Sequence, residues 1–120
     1  MNKILIVDDK LEVVELVTAT LEGEGYRIIS ASDGEEALKK IGKEKPDLVL
    51  LDIIMPKMDG FEVLAGAKKD PQTKDIPIIM LTAKGQKLDE GKGRRLGAKD
   101  YIIKPFSPSH LLRKIEEIMS

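Results

Sequence analysis

Residues 48–60 read LVLLDIIMPKMDG, and the first five decide the fold. Leu48 to Leu51 are apolar on consecutive positions. A strand with one wet face alternates apolar and polar residues, so an unbroken run implies a strand covered on both faces, as in a parallel sheet. The run ends abruptly in an acid, Asp52. The same plan recurs along the chain: Lys3 to Val7 (KILIV) ends in Asp8-Asp9, Ile78 to Leu81 (IIML) ends in Thr82, and Tyr101 to Ile103 ends in Lys104-Pro105. Tyr26 to Ala31 (YRIISA) reads as a further strand.

Helical patterns separate these runs. From Leu11 to Glu22, Val13, Val14, Val17 and Leu21 share an arc of roughly 100° at 100° per residue, and Gly23 and Gly25 then stop the helix. Asp33 and Glu36 have the D-x-x-E spacing of a capping box, opening a helix through Ala37, Leu38 and Ile41 that Pro46 closes off. Phe61 to Lys69 is the third helix. Lys84 to Leu96 is the fourth and a poor one, because Gly85, Gly91 and Gly93 each cost roughly 0.5 to 1 kcal/mol relative to alanine. Ser107 caps the fifth, with Pro108 at its first position and Leu111, Leu112, Ile115, Ile118 and Met119 as its apolar stripe.

Five strands alternating with five helices give an α/β fold, a doubly wound parallel sheet in one domain over residues 1–120. In such sheets the carboxyl ends of the strands share one edge, and ligands bind there. Asp8, Asp9, Asp52, Thr82 and Lys104 all fall at strand ends. One edge therefore gathers three carboxylates, a hydroxyl and an ammonium.

Composition limits what that edge can do. Of 120 residues, 42% are hydrophobic and 34% charged, with a net charge of −1 and no cysteine. Disulfides, iron–sulfur clusters, thiol catalysis and cysteine-based zinc sites are excluded, and so is a uniformly basic nucleic-acid binder. Four apolar residues, Ile4 to Val7, are too few for a signal peptide, and no apolar run is long enough to span a membrane, so a cytoplasmic protein without membrane contact is expected. Area scaling gives a folded surface of roughly 6,400 Å², enough burial for a core without staples.

Two carboxylates about 5 Å apart repel by roughly 3 kcal/mol at an effective dielectric near 20, so three together need a cation or must take up protons. Oxygen ligands without His or Cys favour a hard ion, with Mg²⁺ the usual cellular choice. Lys104 and Thr82 add a positive charge and a hydroxyl for an incoming anion. A carboxylate can also be the nucleophile, forming an aspartyl phosphate. Asp52 suits that role because it stands alone on its strand, whereas Asp8 and Asp9 are adjacent and suited to metal.

These motifs, Asp8-Asp9 after KILIV, LVLLDIIMPKMDG around Asp52, Leu81-Thr82-Ala83 and Lys104-Pro105-Phe106, resemble the receiver domain of bacterial two-component response regulators, in particular single-domain chemotaxis regulators. The resemblance spans essentially the whole chain. It implies a flavodoxin-like (βα)5 fold with strand order 2-1-3-4-5, and a phosphorylation-activated signalling switch rather than an enzyme acting on an external substrate. By that resemblance Asp52 accepts a phosphoryl group from a sensor histidine kinase or histidine phosphotransfer protein. Asp9, Asp52 and the backbone carbonyl of Ile54 bind Mg²⁺, and Asp8 acts through a metal-bound water. Lys104 pairs with the phosphoryl oxygens, Thr82 hydrogen-bonds them, and Tyr101 moves inward when Thr82 is recruited. The Lys104–Pro105 bond is expected to be cis. The side chains of Ile54 and Lys84, two after the acceptor and two after the threonine, flank the path of a hydrolytic water. The face made by the fourth helix, fifth strand and fifth helix is expected to change for a downstream protein or output domain.

Other readings fit less well. A haloacid-dehalogenase-like aspartyl phosphohydrolase also uses Asp, Mg²⁺, Thr and Lys, but needs Asp-x-Asp on its first strand and a cap segment; here the acids are adjacent and no segment is long enough. A receiver-like scaffold without phosphorylation conflicts with the intact Asp9, Asp52, Thr82 and Lys104. Lys92, Arg94 and Arg95 read as a solvated face rather than a nucleic-acid contact, because Asp89 and Glu90 lie among them. Gly91-x-Gly93 and Gly91-Lys92 miss the spacings of both phosphate-binding loops. The sole histidine, His110, reads as a solvated residue.

Overall fold

The computed structural model describes residues 2–83 and 90–119. Among these, β1 (Lys3–Val7), β2 (Arg27–Ala31), β3 (Leu48–Asp52), β4 (Ile78–Ala83) and β5 (Asp100–Lys104) alternate with α1 (Leu11–Glu22), α2 (Gly34–Glu44), α3 (Gly60–Lys69), α4 (Glu90–Leu96) and α5 (Pro108–Met119). The sheet is parallel throughout in the order β2-β1-β3-β4-β5. The continuous apolar runs are the reason: β3 is buried at every position, Leu48 to Asp52, and only a strand with helices on both sides can be.

Pleating divides each strand between two cores. Leu5, Val7, Val49, Leu51, Met80 and Tyr101 face one side, packing against Ala37 and Ile41 of α2 and Val63 and Leu64 of α3. Ile4, Ile6, Leu48, Leu50, Leu81 and Ile102 face the other, against Val17 and Leu21 of α1 and Leu111 and Ile115 of α5. Leu50 has no exposed surface, and truncating such a side chain to alanine costs about 2 to 5 kcal/mol. The total accessible surface, 6448 Å², is that of a well-packed domain of this mass.

The same parity sorts the chemistry. Asp8, Asp52 and Lys104 continue the alternation of Ile6, Leu50 and Ile102, towards α1 and α5. Thr82 continues that of Met80, on the side that also holds Tyr101. Register then aligns the ends: Val7 pairs with Leu51, Asp52 with Leu81, Thr82 with Ile103 and Ala83 with Lys104.

The loops are fixed by local chemistry. Asp59 and Glu62 form a reciprocal capping box at the start of α3. Gly60 lets that start press against β3, since a Cβ there would lie 2.5 Å from the Asp52 carbonyl oxygen and 2.8 Å from Ile53 Cα. Between them the Met58 N–H donates to the Pro56 carbonyl at 2.8 Å across Lys57, whose φ of 69° closes a three-residue turn. At α2 the expected box is only half made. Asp33 accepts from the Glu36 N–H, but the Glu36 carboxylate takes the Ser32 N–H at 2.7 Å instead of that of Asp33, so the ring closes one residue earlier. At α5 the Ser107 hydroxyl accepts from the His110 N–H, and His110 is half-buried rather than fully solvated.

Candidate functional site

Three polar side chains at the carboxyl edge are buried among apolar strands: Asp8 (1% exposed), Asp52 (5%) and Thr82 (3%). A buried carboxylate costs several kcal/mol unless it is paired, so its neighbours define the site. Lys104 Nζ donates to Asp8 Oδ2 at 2.7 Å and lies 3.4 Å from Asp52 Oδ1. Asp8 Oδ1 accepts from the backbone N–H of Lys10 at 2.9 Å, so both oxygens of Asp8 are occupied. Asp9 is exposed at the rim. One oxygen from each of Asp8, Asp9 and Asp52 lies within 4.8 Å of the others, and all are hard donors, so the cluster fits a divalent ion of the Mg²⁺ type.

Electrostatics single out Asp52. Burial and the neighbouring charge of Asp8 push its carboxyl above the usual range, and Lys104 and Lys10 only partly offset this. A second ammonium reaches the cluster from a residue that motif reading passes over. Lys10 Nζ lies 3.1 Å from Asp9 Oδ1, 3.4 Å from Asp52 Oδ2 and 3.6 Å from Asp8 Oδ1. Burial lowers the Lys10 pKa, but its hydrogen bond to Asp9 and the charges of Asp52, Asp8 and Asp9 outweigh that and hold it above the ordinary ammonium range.

On the other face of the sheet Tyr101 is buried, 8% exposed, beneath the Arg94 guanidinium, whose carbon lies 5.7 Å from the ring centre. On its own merits the sequence suggests a partly exposed ring; the core on the α4 side encloses it instead. Lys92 lies over Phe61 at 4.8 Å and Arg94 pairs with Asp100 at 3.9 Å, so these two members of the basic cluster make contacts within the domain. The Lys104–Pro105 peptide is cis. Ile54, two residues beyond Asp52, is 61% exposed. Lys84 lies outside the described residues.

The family model described as response regulator receiver domain matches residues 4–116. The chain belongs to that family. PhoP, the alkaline phosphatase synthesis transcriptional regulatory protein of Bacillus subtilis, is 49% identical over 118 residues, which are 98% of this chain and 48% of PhoP. The chain spans about half the length of the curated relatives it matches. The chemotaxis response regulator CheY4 of Vibrio cholerae superposes with a TM-score of 0.92 at 36% identity, covering 98% of each chain. The receiver domain of the Pseudomonas aeruginosa sensor histidine kinase PA1611, with magnesium coordinated in its active-site cleft, does so with a TM-score of 0.90 at 29% identity, covering 99% of this chain and 98% of that one.

A receiver domain is a phosphorylation-activated signalling switch, and nothing in the fold or the comparisons favours a haloacid-dehalogenase-like hydrolase. In this receiver domain the buried parallel strands and the edge position of the acids follow from the apolar runs, and the strand order is the one the family resemblance implies. Two contributors do not: Lys10 in the carboxylate cluster and Gly93 under Tyr101. The available signal for Lys10 was a lysine at the start of a helix, directly after two acids.

Proposed function

We propose that Asp52 is the phosphoacceptor of a single receiver domain over residues 1–120, phosphorylated by a histidine kinase or a histidine phosphotransfer protein in a Mg²⁺-dependent reaction. The observation that carries this reading is the placement of Asp52: a buried carboxylate with two ammonium groups at 3.4 Å, beside two further acids. An Asp52 oxygen attacks the phosphorus, the oxygen–phosphorus bond forms as the donor's nitrogen–phosphorus bond breaks, and the imidazole leaves with that electron pair. Asp9, Asp52 and the Ile54 carbonyl would hold Mg²⁺, with Asp8 acting through a metal-bound water, and the ion would supply positive charge to the phosphoryl oxygens. Lys104, which lies on Asp8 and Asp52, would pair with the same phosphoryl oxygens and balance their charge, and Thr82, one position beyond the Asp52 register, would donate its hydroxyl to one of them.

The surroundings favour a protein donor. Leu11 (68% exposed), Leu16 (42%) and Ile54 (61%) stand around the rim, and an apolar groove of about 560 Å³ runs between α1 and the Lys104–Phe106 turn. Tyr101 and Thr82 lie on the other side of the sheet, where they can pass the change at Asp52 to the face of α4, β5 and α5 for a downstream protein or output domain. The activity of this domain is its own phosphorylation and dephosphorylation, with no external substrate, no membrane and no direct nucleic-acid contact in the scheme. No helix among the described residues is long and apolar enough to cross a membrane, in keeping with a cytoplasmic setting.

Incubation with a small phosphodonor and Mg²⁺, followed by intact mass, tests the reading. One added phosphoryl group, absent in Asp52→Asn and in excess chelator, is expected. Uptake by the Asp52→Asn protein would remove Asp52 as the acceptor, and unlimited donor turnover would point to a hydrolase.

A further inference from the structure

Lys10 is poorly explained by its own helix. It occupies the N-cap of α1, with φ −98° and ψ 115°, and its side chain makes no cap hydrogen bond. A lysine is unsuited to that place on two counts: it offers no acceptor to the first-turn N–H groups, and it sets a cation at the positive end of the helix dipole. The carboxylate cluster supplies the missing reason. One ammonium reaches all three acids, at 3.1 Å from Asp9, 3.4 Å from Asp52 and 3.6 Å from Asp8. These are the same three acids whose oxygens converge within 4.8 Å. The Lys10 side chain is 48% exposed, so it can leave by rotation of its own bonds without repacking the core.

We infer that Lys10 is a tethered cation of the acidic pocket, displaced when a divalent ion enters, so that its ammonium sets the metal affinity of this receiver domain. The inference rests on the reading of the three carboxylates as a Mg²⁺ site. Charge balance decides which cation leaves. Lys104 is held between Asp8 and Asp52 with only 14% of its side chain exposed, and one ammonium with a divalent ion neutralises three carboxylates. Lys10 and the ion together would overshoot, at the same oxygens and a few ångströms apart. The two therefore exclude each other, and by linkage each weakens the other's hold by the same factor. Phosphorylation that depends on the metal is then gated by the departure of one lysine.

Titration of Mg²⁺ into metal-free wild type, Lys10→Met and Lys10→Arg, followed by backbone amide shifts at low ionic strength, tests this. Methionine keeps an unbranched stem and removes the charge. Lys10→Met should bind Mg²⁺ about fivefold or more tightly than wild type, while Lys10→Arg stays close to wild type. In chelator Lys10→Met should also melt below wild type, with the gap closing as Mg²⁺ saturates. Equal or weaker binding by Lys10→Met would overturn the displacement and leave the metal site standing. Absence of binding by all three proteins would remove the metal site itself, and the inference with it.

Discussion

Gly93 of α4 presents its Cα directly to the hydroxyl end of Tyr101: a Cβ at residue 93 would overlap the Tyr101 oxygen and lie 2.8 Å from its Cζ. The glycine weakens α4 as a helix but opens the slot in which the ring is buried. Gly93→Ala should therefore drive Tyr101 out of that slot. Overpacking costs about 1 to 3 kcal/mol, against a gain of roughly 0.5 to 1 from the better helix former, so the variant should be less stable overall. Urea unfolding and the ring resonances of Tyr101 check both halves. A buried ring and unchanged stability would contradict the overlap.

A charge on Asp52 comes at a cost. Its carboxyl lies above the usual range because burial and Asp8 disfavour the charge, so the folded state binds that proton more tightly than the unfolded chain does. Neutralising it should stabilise the metal-free protein. Asp52→Asn is expected to melt above wild type in chelator at pH 7, and the difference should shrink as pH falls through the raised folded pKa and wild type takes up the same proton. Mg²⁺ should narrow the gap as well, by giving the charged form a partner. Thermal melts with chelator and with Mg²⁺ measure this.

Asp100 at the start of β5 has the opposite sign. Burial works against its charge, but a hydrogen bond from Lys114 at 2.9 Å, the Tyr101 N–H at 2.8 Å and the charges of Lys114 and Arg94 outweigh it and hold the carboxyl below the usual range. A depressed pKa stabilises the fold above the unfolded value near 3.9, and the contribution is lost as pH falls through the folded value. Asp100→Asn should lower stability at pH 7 by about 1 kcal/mol, a partly exposed network being worth no more, and the deficit should fade below about pH 4. Urea midpoints at the two pH values decide it.

Those contacts also tie β5 to α4 and α5, the face assigned to output. Phosphorylation should change amide exchange across residues 90–106, where Arg94 and Lys114 converge on Asp100 and Gly93 admits Tyr101. Protection that changed elsewhere and stayed constant there would move the output surface to another part of the domain.

What could be read without coordinates, and what could not, divides along physical lines. LVLL and IIML announce buried strands because water would not tolerate such runs, and the polar residues that end them, Asp52 and Thr82, then fall on one edge whatever the side-chain packing. Contacts set by rotamers or by one missing methyl group leave no such trace. The Glu36 carboxylate chooses Ser32 over Asp33 through geometry at a strand end. Gly93 reads as a weak spot in a helix until Tyr101 is seen to fill it. Lys10 reads as an ordinary surface lysine because the acids that claim it, in particular Asp52, are brought close only by the pairing of β1 with β3.

Ile54 governs the last expectation, the lifetime of the phosphorylated state. Hydrolysis of phospho-Asp52 needs a water in line with the oxygen–phosphorus bond, and Ile54, two residues beyond the acceptor, is 61% exposed at the mouth of the site. A branched apolar side chain can neither orient a water nor stabilise the charge it develops. An amide can do both to a limited degree, well short of a full general base. Ile54→Asn should therefore lose its phosphoryl group faster, by a factor of order ten, equivalent to about 1.4 kcal/mol of barrier. Replacing an exposed isoleucine should leave stability nearly unchanged, which separates this effect from loosening of the fold. Decay followed by intact mass after donor removal reads the rate directly, and equal lifetimes for the two proteins would show that Ile54 does not control the approach of water.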